Sequence, residues 1–199
     1  MRTLNIRYIL WPDDEFGPLG LEGVTPLSQL QYADGQIARS VYAYPGLPRA
    51  RLVGEAIVVP EERTMETVLD VAAYNPALQV VLNEEPPFQL GGPGVEGTVS
   101  WVERTPNRLA LDVTAAAPAI LVLAENWFPA WQATVDGEPS PVLRADMSLR
   151  AVAVPAGSHR VELRYASPLL RWSVATSVVC GLVLLGCGAL GARRGRRTA

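Results

Sequence analysis

Apolar and polar residues alternate along most of the chain, with the period of two that is typical of β-strands. Before residue 84, the stretches with this pattern are 4–11, 37–44, 51–59 and 78–83. Residues 65–72 instead repeat their apolar positions at helical spacing, and Asn75-Pro76 ends that pattern. Residues 1–83 are therefore predicted to form a small α+β subdomain.

Residues 84–97 are rich in Pro and Gly and have no hydrophobic period, which is typical of a linker. Beyond them the pattern is consistently β, and turn signals recur at intervals of about 8–15 residues, as in an antiparallel sandwich. The predicted strands are 99–102, 108–113, 119–124, 131–135, 142–145, 149–154 and 160–165. Residues 98–168 are therefore predicted to form an antiparallel β-sandwich, and the fold class is mainly β.

The sandwich is predicted to turn a corner after its most apolar strand. Residues 119–124 contain no polar side chain, as in a strand that is buried on both faces. Pro129 then forces Phe128 out of helical space. The next strand stops at Asp136-Gly137, a dipeptide that accepts positive φ in a tight hairpin turn. The aromatic residues between the two strands are predicted to plug this corner.

The end of the chain has the pattern of a membrane span. Residues 172–192 contain no charged side chain, and as a helix they rise about 30 Å, which is one hydrocarbon thickness. A transmembrane helix is therefore predicted over residues 169–192, with a basic tail at 193–199. The residues predicted to lie at the membrane interfaces are Arg171, Trp172, Arg193, Arg194, Arg196 and Arg197.

The charges of the chain are unevenly distributed. All 20 acidic residues precede residue 171, whereas residues 171–199 carry five arginines and no acid. Because positively charged flanks stay in the cytoplasm, the C-terminus is predicted to be cytoplasmic and residues 1–168 extracytoplasmic. All 17 basic residues are Arg and none is Lys, which suggests a GC-rich bacterial genome, so the predicted location is a bacterial cell membrane with the lipid bilayer as a partner. The acidic first part argues against nucleic acid as a partner.

This topology requires export of residues 1–168. Residues 4–11 are too short, and alternate too regularly, to be a signal peptide. Either an export signal lies upstream of Met1, or the protein is tail-anchored with its domain in the cytoplasm. The second alternative must move four arginines through the bilayer, so the first is favoured, with Met1 an internal or mispredicted start.

The corner also carries a family resemblance. Glu125-Asn126-Trp127-Phe128-Pro129-Ala130-Trp131 is followed by Val135-Asp136-Gly137, then by Arg144-Ala145 and Val154-Pro155-Ala156-Gly157-Ser158-His159. This succession resembles the end of YfhO-type bacterial integral membrane proteins. Residues 4–10 and 44–50 resemble segments of that family's large outer domain. Ala130 departs from the pattern, because the family usually has Gly there.

The resemblance implies a specific context. The chain looks like the C-terminal extracytoplasmic domain and last span of a polytopic protein, and its implied partner is an upstream multi-span helix bundle that this chain lacks. The YfhO family is related to membrane-integral glycosyltransferases that use polyprenyl-phosphate sugars to modify cell-envelope polymers. The catalytic acids of such enzymes lie in early membrane loops, which are also missing here.

Motifs for catalysis are mostly missing from the sequence. His159 is the single histidine, so no metal site with several His ligands is available. No serine lies in a Gly-x-Ser-x-Gly turn. No cofactor is predicted, and the chain is not expected to be an enzyme by itself, although its parent protein would be one under the family resemblance.

The polar and aromatic residues around the corner are candidates for binding envelope glycan. Indole rings stack on the C–H faces of sugars, and polar side chains hydrogen-bond their hydroxyls. The predicted contacts are Asn126, Trp127, Trp131, Asp136, Arg144 and Asp146. The alternative is that the tryptophans plug the sandwich, and that Arg144 pairs with Asp146 or Asp136, as large aromatics in small β domains are usually core.

Three functions therefore remain open from the sequence. The first is a non-catalytic outer domain and final span of a YfhO-like protein, which supports glycosyl transfer to envelope polymers. The second is a single-span, membrane-anchored carbohydrate-binding module. The third is a purely structural, tail-anchored β domain without a ligand.

Overall fold

The computed structural model describes residues 8–11, 24–43, 46–70, 73–167, 172–174 and 176–182. These residues are mainly β and form three sheets. The strands are β1 (Tyr8–Trp11), β2 (Thr25–Gln31), β3 (Ile37–Ala43), β4 (Ala50–Val53), β5 (Glu55–Val58), β6 (Gln79–Leu82), β7 (Gly97–Thr105), β8 (Arg108–Ala115), β9 (Ala119–Asn126), β10 (Trp131–Val135), β11 (Glu138–Ser140), β12 (Leu143–Ala145), β13 (Leu149–Val154) and β14 (Gly157–Tyr165).

The described helices are short. A 3-10 turn at Glu61–Arg63 leads into helix α1 (Thr64–Leu69), and residues 172–174 and 176–182 are also helical. Helix α1 agrees with the start of the helix predicted over 65–72, but it ends at Leu69, before the predicted stop at Asn75-Pro76. Residues 71–72 lie outside the described residues.

The first sheet has three antiparallel strands in the order β1-β3-β2. It exposes large apolar side chains: Tyr8 and Leu10 of β1 and Leu30 of β2 are each more than half exposed. Tyr8 and Leu10 point to the same face because they are two residues apart on one strand. This sheet therefore presents an apolar surface that the described residues do not cover.

The second sheet has five antiparallel strands in the order β11-β10-β14-β8-β7. Alternate residues of β8, which include Leu109, Leu111 and Val113, are buried against the third sheet, and Leu163 of β14 joins them. The intervening residues of both strands are polar except Ala110, which is also buried. The sequence predicted this alternation, in which one face of the sheet packs against a core and the other faces solvent.

The third sheet has six strands in the order β4-β9-β13-β12-β6-β5, with the single parallel pair between β5 and β6. The central strand β9 is buried on both faces from Ala119 to Leu123, as predicted. Leu121 and Leu123 face the five-stranded sheet, whereas Ile120 and Val122 belong to a second core on the other side. One strand thus contributes to both cores.

The predicted division of the chain into two globular parts differs from this topology. Strands β4, β5 and β6 precede residues 84–97, yet they share the six-stranded sheet with β9, β12 and β13. Residues 1–83 therefore do not form a separate subdomain. Sequence periodicity predicts which residues are strands, but a strand's partner depends on long-range packing that a local pattern does not encode.

Residues 84–97 are also not a free linker. Phe88 and Leu90 pack against the second core, and the Gly91 amide donates a hydrogen bond of 2.8 Å to the Pro118 carbonyl. The segment thus covers the apolar side of the six-stranded sheet. Pro and Gly favour turns and irregular backbone, but they do not report whether that backbone is packed, which is why composition alone misassigned it.

Gly54 separates β4 from β5, although these strands are the opposite edges of the same sheet. The sheet therefore curls until its edges meet around one residue. A Cβ on Gly54 would lie 1.9 Å from the Gly92 carbonyl oxygen, and the Gly54 carbonyl accepts a 2.9 Å hydrogen bond from the Gly92 amide. Only glycine leaves room for this contact between backbones.

In the part of the chain that the structure describes, no helix is long and apolar enough to cross a membrane. The predicted span, 169–192, falls partly on residues 169–171, 175 and 183–192, which lie outside the described residues. The predicted tail at 193–199 lies outside them as well. Of the predicted interface residues, Trp172 is described, and it is exposed. Arg171, Arg193, Arg194, Arg196 and Arg197 are outside the described residues.

Candidate functional site: the aromatic corner

Residues 127–130 connect β9 of the six-stranded sheet to β10 of the five-stranded sheet, and we call them the corner. Trp127 holds this loop in place with two hydrogen bonds. Its amide donates a 2.6 Å bond to the Ser148 carbonyl, and its indole Nε1 donates a 2.9 Å bond to the Val142 carbonyl. The Trp131 amide bonds the Phe128 carbonyl at 3.1 Å. The Trp127 indole is thus used within the fold, and Phe128 points outward.

Trp131 lies at the start of β10 and is half-buried. The guanidinium of Arg150 stacks over its ring at 3.8 Å from the centroid, and Tyr165 contacts it edge-on at 5.5 Å. Cation–π contacts of this kind stabilise a cation that burial has removed from water. One face of the Trp131 ring is therefore occupied by the protein's own arginine.

Glu125 lies between two arginines at the end of β9. Its carboxylate accepts hydrogen bonds from Arg49, with Oε1 2.7 Å from Nη2, and from Nη2 of Arg150. Arg150 is almost fully buried, and burial lowers the pKa of its guanidinium while Glu125 acts in the opposite direction. The carboxylate thus neutralises a buried cation, which leaves it poorly placed for acid–base chemistry.

Asp146 is buried beneath the curled sheet. Its carboxylate accepts three hydrogen bonds, from Arg51 Nη2 at 2.9 Å, from the Tyr74 hydroxyl at 2.7 Å and from the Val81 amide at 2.9 Å. Burial and the negative charge of Asp146 both raise the pKa of the Tyr74 hydroxyl, so it stays protonated as a donor. A ligand in solution has no access to this group.

Asp136 lies in the hairpin turn between β10 and β11. It has a φ of 54° and Gly137 one of 88°, as the Asp-Gly pattern predicted. Its Oδ2 is 2.7 Å from Nδ1 of His159, and its Oδ1 accepts a 2.7 Å bond from the Arg160 amide. These bonds lower the pKa of Asp136 and raise that of His159. The pair therefore locks a turn.

The last two predicted sugar contacts lie on different elements. Asn126 is exposed at the end of β9. Arg144 of β12 is half-buried, and it binds Glu61 and the Met147 carbonyl rather than either aspartate that the sequence offered as its partner. Both aspartates have other partners: Asp146 is bonded to Arg51, Tyr74 and the Val81 amide, and Asp136 to His159 and the Arg160 amide.

The six predicted sugar contacts consequently do not converge on one surface. Asp136 lies at the opposite end of β10 from Trp131, and Asp146 is enclosed. The residues that the structure does bring together at the corner are Arg49, Glu125, Trp131, Arg150 and Tyr165. Arg150 was missed, although an arginine inside the otherwise apolar run 149–154 signals a buried charge that needs partners.

Two open depressions lie on the surface of the domain. One of about 490 Å³ runs along edge strand β5 and is lined by Ala56, Val58, Phe88 and Leu90 among others. The second, of about 620 Å³, lies on the outer face of the five-stranded sheet, between Arg108, Gln132, Glu162 and Arg164. Among the described residues, no group of three His, Cys, Asp or Glu side chains is placed to hold a metal ion.

The geometry of the corner is that of a structural joint between two sheets, in which charged and aromatic groups are used for internal contacts. Comparisons of the chain with protein-family models, with curated proteins and with solved structures find no match.

Proposed function

We propose that the chain is the C-terminal extracytoplasmic β domain and final membrane span of a YfhO-like polytopic membrane protein, and that it supports glycosyl transfer to cell-envelope polymers without catalysing it. The observation that supports the non-catalytic role is the ion pairing of two carboxylates. Glu125 and Asp146 are each held by arginine, so neither is free to act as a general acid or base.

The apolar surface of the three-stranded sheet supports the proposal that the chain is part of a larger assembly. Tyr8, Leu10 and Leu30 are exposed on a sheet, where contiguous apolar area usually marks a contact with protein or membrane. The upstream helix bundle that the resemblance implies is a partner of the right chemistry. The uncharged residues 172–192 and the arginines after them support the final span.

The alternative of a carbohydrate-binding module is less well supported at the predicted residues. Trp131 has Arg150 on its ring, and the Trp127 indole is bonded to the Val142 carbonyl. Neither side chain is arranged as a free stacking platform.

The proposal is tested in the organism that encodes the chain. Deletion of residues 24–167, with the rest of the gene in frame, should remove a sugar from an envelope polymer, as measured by glycan composition analysis. The purified chain supplied with polyprenyl-phosphate sugars should transfer none. Unchanged envelope glycans after the deletion, or sugar transfer by the purified chain, would contradict the proposal.

A further inference from the structure

One end of the β domain combines an outward aromatic side chain with exposed cations. Phe128 is 57% exposed at the corner, and the loop that carries it is fixed by the two hydrogen bonds of Trp127. A single exposed apolar residue is common on any protein surface. Phe128 is informative because it lies close to the point where the chain leaves the domain.

The chain leaves the domain directly beside the corner. The Ala166 amide donates a 2.8 Å hydrogen bond to the Ala130 carbonyl, and the Tyr165 amide donates a 2.9 Å bond to the Asn107 carbonyl. The next described helical residues begin at 172. Six residues span at most about 20 Å, so the start of that helix stays close to the corner.

The five-stranded sheet carries exposed arginines at the end where the chain leaves the domain. Arg164 and Arg108 are directly opposite each other in the β14–β8 register and are exposed, next to the strand ends at which the chain exits. The other end of this sheet carries the exposed acids Asp136 and Glu138. Arg108 lies 3.4 Å from Glu103 and 3.5 Å from Glu162, so its charge is shared with acids of the same sheet, and Arg164 is the cation offered to an anionic lipid surface.

We propose that this end of the domain rests on the outer surface of the membrane, with Phe128 in the interfacial layer and Arg164 at the headgroups. This inference rests on the proposed function, because it needs residues 172–192 to cross the bilayer. Aromatic rings prefer the headgroup level, and basic side chains near it gain from anionic lipids. The domain would then have one fixed orientation above the bilayer.

The test uses the full chain in vesicles of phosphatidylcholine and phosphatidylglycerol. Three single-cysteine forms carry an environment-sensitive fluorophore: Phe128→Cys, Ala156→Cys, and the native Cys180. The two native cysteines are replaced by Ala wherever they are not the labelled site. Ala156 is exposed at the opposite end of the sandwich and is the matched control. Quenching by brominated lipids reports the contact of each site with the bilayer.

The label at 128 should lose about half of its fluorescence, as expected for a group about 5–10 Å deep in the interface. The label at 156 should keep its fluorescence, and the label at Cys180 should be quenched more strongly than either. Equal signals at 128 and 156 with Cys180 quenched would overturn the inference and leave the span intact. An unquenched Cys180 would overturn both. Melting curves of the labelled forms show whether Phe128→Cys has kept the fold.

Discussion

The guanidinium of Arg150 lies 3.8 Å from the centre of the Trp131 ring and is almost wholly buried. Glu125 binds one of its nitrogens, whereas Nε and Nη1 are buried without a hydrogen-bond partner among the described residues. The aromatic face therefore substitutes for part of the lost hydration of the cation. The corner that the sequence marks by its aromatics is, in physical terms, a site where a charge is kept inside a β-sandwich.

Replacing Trp131 should test this role. Trp131→Ala should lower the free energy of unfolding by about 2–4 kcal/mol, because it removes apolar burial and uncovers the Arg150 cation. Trp131→Phe should cost less, since it retains an aromatic face. Urea unfolding of the full-length chain measures both. Phe128→Ala, in the same corner but exposed, is the control and should change little; a loss as large as that of Trp131→Ala would contradict the assignment.

The buried Asp146 should matter more than an exposed carboxylate. Asp146→Asn leaves the Arg51 charge unpaired in the interior, which should cost about 3–5 kcal/mol of unfolding free energy. The matched control is Asp112→Asn, which breaks the exposed ion pair with Arg160 and should cost less than about 1 kcal/mol. Combining Asp146→Asn with Arg51→Met should recover part of the loss. Equal effects of the two Asp→Asn changes would show that Asp146 is not a buried anchor.

The turn pair Asp136–His159 predicts a pH dependence of stability. His159 has a raised pKa, so its contribution is complete below the unfolded value of about 6.5 and is lost as pH rises through the folded value. Asp136 has a lowered pKa, so its contribution is present above about 3.9 and is lost as pH falls through the folded value. The pair therefore stabilises the turn between those limits.

Melting temperatures of the wild type and of His159→Gln should accordingly differ most in mildly acidic buffer and converge as the buffer becomes alkaline. Asp136→Asn is a suitable second variant, because Asn also tolerates positive φ and keeps an acceptor for the Arg160 amide. It should remove the same pH dependence. A constant difference between wild type and His159→Gln across this range would mean that the histidine charge is irrelevant to the turn.

The topology of the chain is tested with reporters fused after Ala199 at the native gene. Because arginines follow the predicted span, a reporter that fluoresces only in the cytoplasm should be active. An alkaline phosphatase that needs the periplasm should be inactive at the same position. The reverse pattern would place the C-terminus outside and would contradict the predicted orientation.

The sequence predicted individual strands better than their partners. The doubly buried strand β9 and the Asp136-Gly137 turn follow from local patterns, an unbroken apolar run and a dipeptide that accepts positive φ. The pairing of β4 with β9 does not follow from a local pattern, because the paired residues are far apart in the chain. The same limit applies at the site, where the ion-pair partners of Glu125, Arg49 and Arg150, come from other parts of the chain.

A local pattern also does not report what a polar residue touches. Asp146 and Asp136 both precede or occupy turns and look alike in the sequence, yet one is enclosed with Arg51 and Tyr74 and the other is solvent-exposed. Both have positive φ, 54° for Asp136 and 44° for Asp146, so the local backbone does not separate them, and the difference comes from the distant residues that pack around Asp146. The division at 84–97 failed for a related reason, since Phe88 and Leu90 signal a packed segment only once a surface exists for them to cover.

The bend at Gly54 has a consequence for how the chain is made. Arg49 can form its ion pair only after Glu125, 76 residues later, has been synthesised, and Arg51 can pair only after Asp146, 95 residues later. Strands with such distant partners are slow to pair, and until then their apolar residues stay exposed. Because both edges of the curled sheet come from one early stretch, the sheet closes only after β13 has been synthesised. A chain that ends before β13 can form the β4–β9 and β5–β6 pairs, but it lacks the strand that joins them into one sheet, so the inner edge of β9 stays open.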